Sequence, residues 1–160
     1  MTEAKAAKQT ELDDVLHRLE SAREQLIETL TTLDGALFDR PNSDGESVKT
    51  TLERAADDIN FYYGRLAARL LNLPQPPCML KAEFMSLREA MLSVQVAHRR
   101  FANLLHDLVP ADLARSASGD DDGEYTLSQV LEMAIAHYRL RLQQVRALAK
   151  PTRPRRKSHQ

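Results

Sequence analysis

The sequence predicts an all-α protein that folds as a single four-helix bundle. Glycine is scarce, with five in 160 residues, and the leucine, alanine, arginine and glutamate that dominate the chain are good helix formers. The alternation of β-branched and polar residues that indicates strands is nearly absent. Four segments carry apolar residues at steps of four and three, and such amphipathic helices bury their apolar faces most simply against one another.

The first predicted helix spans about residues 11–34. Thr10 is placed to cap it, and acidic residues follow in the first turn, where the helix dipole favours them. Asp34 and Gly35 end the segment, before a loop rich in turn residues. Arg23 fills the one inward position that is not apolar, from which it could simply reach solvent. The inward line consists of Leu12, Leu16, Leu19, Leu26, Leu30 and Leu33.

The second predicted helix spans residues 47–73. Ser47 is a natural N-cap. The prolines of "LPQPPC" end the segment, because proline lacks an amide donor and clashes with the preceding turn. Arg69 fills an inward position near the end of the helix. The other inward residues are Val48, Leu52, Ala55, Ile59, Tyr62, Leu66 and Leu73.

The third predicted helix spans residues 80–108 and has the most regular apolar line, which places His98 toward the core. An inward histidine is either a hydrogen-bonded core residue or a ligand or acid–base group. Pro110 and the run "SASGDDDGE" close the segment and predict an acidic, mobile loop. The line consists of Leu80, Phe84, Leu87, Met91, Val94, His98, Phe101, Leu105 and Leu108.

The fourth predicted helix spans residues 126–149. Thr126 is its N-cap, and Gln129 is placed to complete a capping box. Arg141 lies on the apolar line and His137 lies beside it. The line consists of Leu127, Leu131, Ala134, Tyr138, Arg141, Val145 and Leu148.

An inward arginine needs a partner, because a buried unpaired guanidinium costs on the order of several kcal/mol. One interpretation is an internal salt bridge from Arg141 to Asp57, Asp58 or a glutamate. The other is an anion site, in which Arg54 and Arg141 together hold a carboxylate, phosphate or sulfonate. Periodicity alone leaves both interpretations open.

The bulk properties predict one domain over residues 1–149, followed by a disordered basic tail at 150–160. The net charge of −1 gives no general attraction to nucleic acid or to anionic membranes, so a nucleic-acid contact is expected only through the tail. The single cysteine, Cys78, cannot form an internal disulfide. The chain shows neither a signal-peptide core nor an apolar run of the ~20 residues that cross a bilayer, which predicts a cytoplasmic protein without a transmembrane segment.

Three stretches of the sequence resemble signatures of the DinB-like superfamily, a group of thiol-transferase-related four-helix bundles. "GESVKTTLERAADDINFYYGRL" resembles the second-helix pattern Gly-Trp-Ser-Val-Lys-x-x-Leu-x-His, followed by an acidic stretch and Tyr-x-x-Arg-Leu. "GEYTLSQVLEMAIAHYRLRLQQV" resembles the fourth-helix pattern, which ends in His-x-x-x-His. "LIETLTTLDGALFDRP" resembles the end of the first helix. The resemblance runs from about Leu12 to Leu148 and implies an up-down-down-up arrangement and a homodimer.

In that superfamily three histidines hold a divalent metal, and the resemblance places their positions at Arg54, His137 and Arg141. Tyr138 stands where an acidic residue often follows the fourth-helix histidine, and Glu46 stands where tryptophan usually precedes the second helix. Arginine stays protonated and has no lone pair for a metal. One remaining histidine does not supply the three protein ligands of a catalytic zinc site. We therefore expect no metal cofactor.

A rearranged ligand set is the alternative, with His137, Asp58 and His98 holding zinc or nickel. It would make the chain a metal-dependent enzyme of the thiol S-transferase type. The simpler interpretation of Asp58 is an i,i+4 ion pair with Arg54.

The expected function is that of a DinB-like bundle without the three-histidine site. We expect a non-catalytic protein that binds a small anionic ligand or a partner protein. No phosphate-cradling glycine loop, nucleophile elbow, CxxC pair or His-Glu-x-x-His motif indicates another chemistry. The candidate pocket consists of Arg54, Asp58, Tyr62, His98, His137, Tyr138 and Arg141.

Overall fold

The computed structural model describes residues 2–76 and 81–150, and its chain is mostly helical. Four long helices make up the fold, the second of them in three sections. A two-stranded sheet departs from the all-α prediction. The helices are α1 (Thr2–Thr31), α2 (Val48–Asp57), α3 (Gly64–Leu70), α4 (Leu87–Leu104) and α5 (Leu127–Ala149), with strands β1 (Ser116–Ser118) and β2 (Glu124–Thr126).

The helices share one core. The most extensive packing joins α1 to α5, while α2 packs against both α4 and α5, and α3 packs against α4. α1 and α2 have at most marginal contact, although they follow each other in the chain. Each of the four predicted inward lines contributes fully buried residues, among them Leu26, Leu52, Phe101 and Leu131. Leu73, at the end of the second line, is 41 % exposed instead.

α1 begins at Thr2, so the prediction of a helix start near residue 11 with Thr10 as its cap is wrong. The side chain of Thr10 lies within the helix and donates to the carbonyl of Ala6 over 2.9 Å. The sequence "TEAKAAKQ" is rich in helix formers. This first part of the helix is exposed to solvent, so it lacks the apolar periodicity by which the other helices were predicted. The helix also ends early, at Thr31 instead of near residue 34.

A π-helical segment, Asp58–Tyr63, joins α2 to α3 and keeps the second helix continuous. Ser47 caps this helix as predicted, with its hydroxyl accepting from the Thr50 amide over 3.2 Å. The helix ends at Leu70 and not at Leu73. Asn72 has a φ of 54°, in the left-handed region. The amide of Leu73 donates back to the carbonyl of Ala68 over 2.8 Å, which is the hydrogen bond that closes a helix when the residue after its end is left-handed.

α4 begins at Leu87, seven residues later than predicted. Ser86 is its N-cap: the hydroxyl accepts from the Glu89 amide over 3.1 Å, and the Glu89 carboxylate accepts from the Met85 amide over 3.0 Å. This Ser-x-x-Glu pattern indicates a helix start at this position, but the regular apolar spacing before it suggested an earlier start. Phe84 lies in the segment before the helix and its side chain is buried in the core, which is why it fits the apolar line. Leu80 and Cys78 lie outside the described residues.

The acidic run folds as a hairpin and not as the predicted mobile loop. Ser116 pairs with Thr126 and Ser118 with Glu124, in antiparallel register. The amide of Gly119 donates to the carbonyl of Gly123 over 2.7 Å and closes the turn. Arg69 attaches the hairpin to α3 by donating to the Ser118 carbonyl over 2.6 Å and to the Asp120 carboxylate over 3.0 Å.

α5 begins as predicted with a capping box. The Thr126 hydroxyl accepts from the Gln129 amide over 3.2 Å, and the Gln129 side chain accepts from the Thr126 amide over 2.9 Å. Tyr138 and His137 are buried. Within residues 2–76 and 81–150, no helix has the length and apolarity needed to cross a membrane. The predicted tail lies outside the described residues beyond Lys150.

Candidate functional site

The seven residues of the predicted pocket do not form one pocket. The structure brings Asp58, His137 and Arg141 together between the second helix and α5. His98 and Tyr138 belong to a second polar group, and Arg54 lies apart from both. Tyr62 is half-buried and contacts Tyr63 edge to face, with ring centroids 4.9 Å apart.

Arg141 is paired inside the bundle. Its Nη2 lies 3.0 Å from Oδ2 of Asp58, and its Nη1 donates to the side chain of Gln144 over 3.0 Å. The Arg141 side chain is only 11 % exposed, whereas that of Asp58 is 43 % exposed and faces partly to solvent. Of the two interpretations, the salt bridge is the arrangement found. The partner is Asp58 and not Asp57. The carboxylate of Asp57 accepts a hydrogen bond from the amide of Ala82 over 2.8 Å.

His137 lies in the same group as a neutral, buried imidazole. Its Nδ1 is 3.7 Å from Oδ2 of Asp58, and its ring packs against that of Tyr63 at a centroid distance of 5.3 Å. Burial, followed by the charge of Arg141, lowers the pKa of His137 to about 4, against the opposing effect of Asp58. Among the described residues, neither Nε2 of His137 nor Nε of Arg141 has a hydrogen-bond partner of standard geometry.

The residues of this group do not fit the metal that the resemblance implies. Asp58 already accepts from a guanidinium, and Arg141 brings a fixed positive charge to the place where a cation would bind. His98, which the rearranged ligand set requires, hydrogen-bonds elsewhere. Across the described parts of the chain, no three His, Cys, Asp or Glu side chains converge in a way that could hold a metal ion.

The second polar group is a hydrogen-bonded chain between α1, α4 and α5. Nε2 of His98 lies 2.6 Å from a carboxylate oxygen of Glu20, and its Nδ1 lies 2.8 Å from the hydroxyl of Tyr138. Burial lowers the pKa of His98 below its ordinary value, against the opposing effect of Glu20, and the lowered pKa favours the neutral ring. A carboxylate only accepts, so the proton sits on Nε2 and the Tyr138 hydroxyl donates to Nδ1.

Glu20 and Arg23 complete this chain; the sequence placed Arg23 inward but gave it no partner, and Glu20 was missed. Arg23, which the sequence suggested could simply reach solvent, is 20 % exposed and donates to the other oxygen of Glu20 over 3.1 Å. Burial raises the pKa of Glu20, but its hydrogen bonds to His98 and Arg23 outweigh that effect and leave the pKa below its ordinary value. The i,i+3 spacing of Glu20 and Arg23 was the available signal. Tyr138 and His98 are buried and order the core, whereas the Glu20 side chain is 45 % exposed, so the chain of hydrogen bonds runs from the core to the surface.

Arg54 lies on the surface and pairs with Glu46, not with Asp58 as its i,i+4 spacing suggested. Its Nη1 is 2.8 Å from a carboxylate oxygen of Glu46, and its side chain is 55 % exposed. It lines a groove of about 690 Å³ formed by the end of α5, the start of α2 and the loop before α2. Gln144, the partner of Arg141, lines the same groove and therefore connects it to the buried ion pair.

Fold and polar groups together define the class of the protein as a mostly helical four-helix bundle with charged pairs between its helices. The chain is similar to TT2238, described as a four-helix bundle protein in its crystal structure, with 22 % sequence identity and a TM-score of 0.67. The match covers 85 % of this chain and 98 % of that one, and it supports the fold alone. No family model matches the chain, and neither does any curated protein.

Proposed function

We propose that this chain is a DinB-like bundle that binds a small anionic ligand and does not use three-histidine metal chemistry. The ion pair between Asp58 and Arg141, at 3.0 Å, supports the loss of three-histidine chemistry, because it stands where the resemblance puts the third metal ligand. The observation that carries the anion-binding part is that a second arginine, Arg54, replaces another ligand and faces an open groove. The proposal includes the family's up-down-down-up arrangement, a homodimer and a cytoplasmic location.

Metal content tests the proposal directly. The full chain, purified without added metal and then dialysed against zinc or nickel, is expected to retain far less than one equivalent. The variant His137→Ala should behave like the parent. Roughly one zinc or nickel ion per parent chain, lost in His137→Ala, would overturn the proposal and favour the thiol S-transferase type of enzyme.

A double variant tests whether the three family positions share one site. Arg54→His combined with Arg141→His restores the three-histidine pattern, but Arg54 lies on the surface groove, apart from His137 and Arg141. The double variant should therefore bind far less than one zinc ion, like each single variant. About one zinc ion per chain in the double variant alone would show that position 54 reaches the same site as His137, as the resemblance implies.

Anion binding needs a separate measurement. Thermal unfolding of the parent should shift upward with small organic anions at millimolar concentration, compared with chloride at equal ionic strength, because a ligand that binds the folded state stabilises it. An unchanged midpoint across carboxylates, phosphates and sulfonates would leave no support for a small-anion function.

A further inference from the structure

The groove beside Arg54 has the chemistry of an anion site distinct from the buried ion pair. Its volume is about 690 Å³, within the range of small-molecule sites. Arg40 lines it from the loop before α2, Arg54 lines it from α2, and Lys150 lines it from just after the end of α5. These three cations therefore converge from different parts of the chain on one space.

The charge of the groove favours an anion with two negative charges. Glu46 is the one acidic residue among the described residues of the lining, so three cations against one carboxylate leave two positive charges in excess. Phosphate monoesters carry about −1.5 to −2 charges near pH 7, whereas a single carboxylate carries one. A phosphate monoester therefore matches the groove better than a monocarboxylate does.

Arg54 is placed to make the main contact. Glu46 occupies its Nη1, while Thr50 donates its hydroxyl to the same carboxylate oxygen over 3.2 Å. The Arg54 side chain is largely exposed, which leaves the rest of its planar donor set for a bidentate contact with phosphate oxygens. Glu46 would then compete with the ligand for Arg54.

The remaining walls suit an organic group. Pro41, Ala147 and Leu148 supply apolar surface, and Asn42 and Ser43 supply polar side chains. A ligand with only a phosphate would leave the apolar wall uncovered. We propose that this groove binds the phosphate monoester of a small organic molecule, with Arg54, Arg40 and Lys150 on the phosphate and the organic part against Leu148 and its neighbours.

This inference rests on the proposed anion-binding function and is tested by calorimetric titration of the full chain with phenyl phosphate. Phenyl phosphate should bind one per chain and more tightly than inorganic phosphate or benzoate, and added salt should weaken it. Arg54→Gln should weaken binding roughly tenfold or more, because it removes a charge-assisted contact. Glu46→Gln should strengthen binding a few-fold, since it removes the competing carboxylate, by roughly the strength of an exposed ion pair.

Arg146→Gln is the matched control, because Arg146 is an exposed arginine of α5 outside the lining. It should change the affinity by less than about twofold, as expected of an exposed charge that does not line the groove and is screened by solvent and salt. Equal weakening by Arg54→Gln and Arg146→Gln would mean general charge attraction and overturn the groove as the site. Circular dichroism of each variant checks that the fold is retained.

Further outcomes separate this inference from the proposed function. If small anions stabilise Arg54→Gln as much as they stabilise the parent, the groove is not the binding site, whereas the proposed anion-binding function still stands. Stoichiometric zinc at His137 would overturn the function, whereas phenyl phosphate binding that depends on Arg54 would still support the groove. The chain could instead co-sediment with vesicles of phosphatidylcholine and phosphatidic acid while failing to bind phenyl phosphate. That result would identify the bound phosphate as a lipid headgroup and overturn the proposal of a small-molecule ligand.

Discussion

At the scale of single residues, two arginine–carboxylate pairs differ in burial and therefore in energetic weight. Arg141 is almost buried and Arg54 is mostly exposed, although their N–O distances to Asp58 and Glu46 are 3.0 and 2.8 Å. An exposed pair contributes roughly 0–1 kcal/mol, whereas a buried charge deprived of its partner costs considerably more. The two pairs thus allow a matched comparison.

We expect Asp58→Asn to lower the free energy of unfolding by about 1–3 kcal/mol, because Arg141 would keep its charge with a neutral partner in a site from which water is largely excluded. The solvent exposure of Asp58 keeps the loss below that of a fully buried pair. Glu46→Gln, the control, should cost less than about 1 kcal/mol. Urea unfolding at pH 7 measures both, and equal losses would contradict the structural role given to Arg141.

The buried histidine makes stability depend on pH. The pKa of His137 falls from its ordinary 6.5 to about 4 in the folded chain, first through burial and then through Arg141. Between these values the unfolded chain binds more protons than the folded chain, so the free energy of unfolding falls as the pH is lowered from 6.5 to about 4. The pKa of His98 is lowered too and acts in the same direction.

The variant His137→Asn should therefore flatten this pH profile, whatever its effect on stability at pH 7. His17→Asn is the control, since His17 is an exposed residue of α1 and lies outside both polar groups. Unfolding free energies measured from pH 7 to pH 4 give the slopes. A slope that is the same in His137→Asn and in the parent would show that this histidine is not the group that titrates.

At the scale of elements, the π-helical segment decides which residues of the second helix face α5. It starts at Asp58 and ends at Tyr63, so it brings in both the partner of Arg141 and the ring beside His137. The amide of Gly64 donates to the carbonyl of Ile59, the i→i+5 bond of a π turn. A Cβ at Gly64 would lie 2.8 Å from that carbonyl oxygen, so glycine permits the wide turn.

Gly64→Ala should lower the free energy of unfolding by about 1–2 kcal/mol, although alanine is ordinarily the better helix former, because the clash with the backbone of Ile59 outweighs its helix propensity. Gly35→Ala is the control: a Cβ there meets nothing within 4 Å, and its effect should be close to zero. Thermal and urea unfolding measure both variants. A stabilised Gly64→Ala protein would mean that the second helix is a regular α-helix.

At the scale of the whole molecule, periodicity was enough to predict four helices and most of the core. It placed Arg141 and His98 inward because each replaces an apolar residue in an otherwise regular line. It could not predict the chain from Tyr138 through His98 to Glu20, because the rotation of one helix against another decides which polar residues meet. The hairpin was missed because three-residue strands carry almost no alternation to detect.

The helix ends were missed for a related reason. Residues 2–11 are exposed in α1 and therefore lack the apolar spacing that defined the other helices. The start of α4 was placed too early because Phe84 is buried without being helical. Grouping Arg54 with Arg141 assumed that both face the same pocket, whereas Arg54 lines a surface groove and Arg141 is almost buried against Asp58.

The single core predicts that the four helices unfold together. α5 packs against α1, α2 and α3, so a cavity in its buried face weakens the whole molecule. Leu131 is fully buried, and Leu131→Ala should cost about 2–5 kcal/mol. Leu140 lies on the same helix but is 49 % exposed, and Leu140→Ala should cost less than about 0.5 kcal/mol.

Urea unfolding followed by far-ultraviolet circular dichroism and by tyrosine fluorescence should give one coincident transition for the parent and for both variants. The fluorescence comes from the four tyrosines, which lie in the second helix, the hairpin and α5 (Tyr62, Tyr63, Tyr125 and Tyr138). Circular dichroism reports on all the helices, so coincidence of the two signals tests cooperation across the fold. If Leu131→Ala separated the two transitions, α5 would be stabilising only part of the bundle, and the single core inferred from the packing would be wrong.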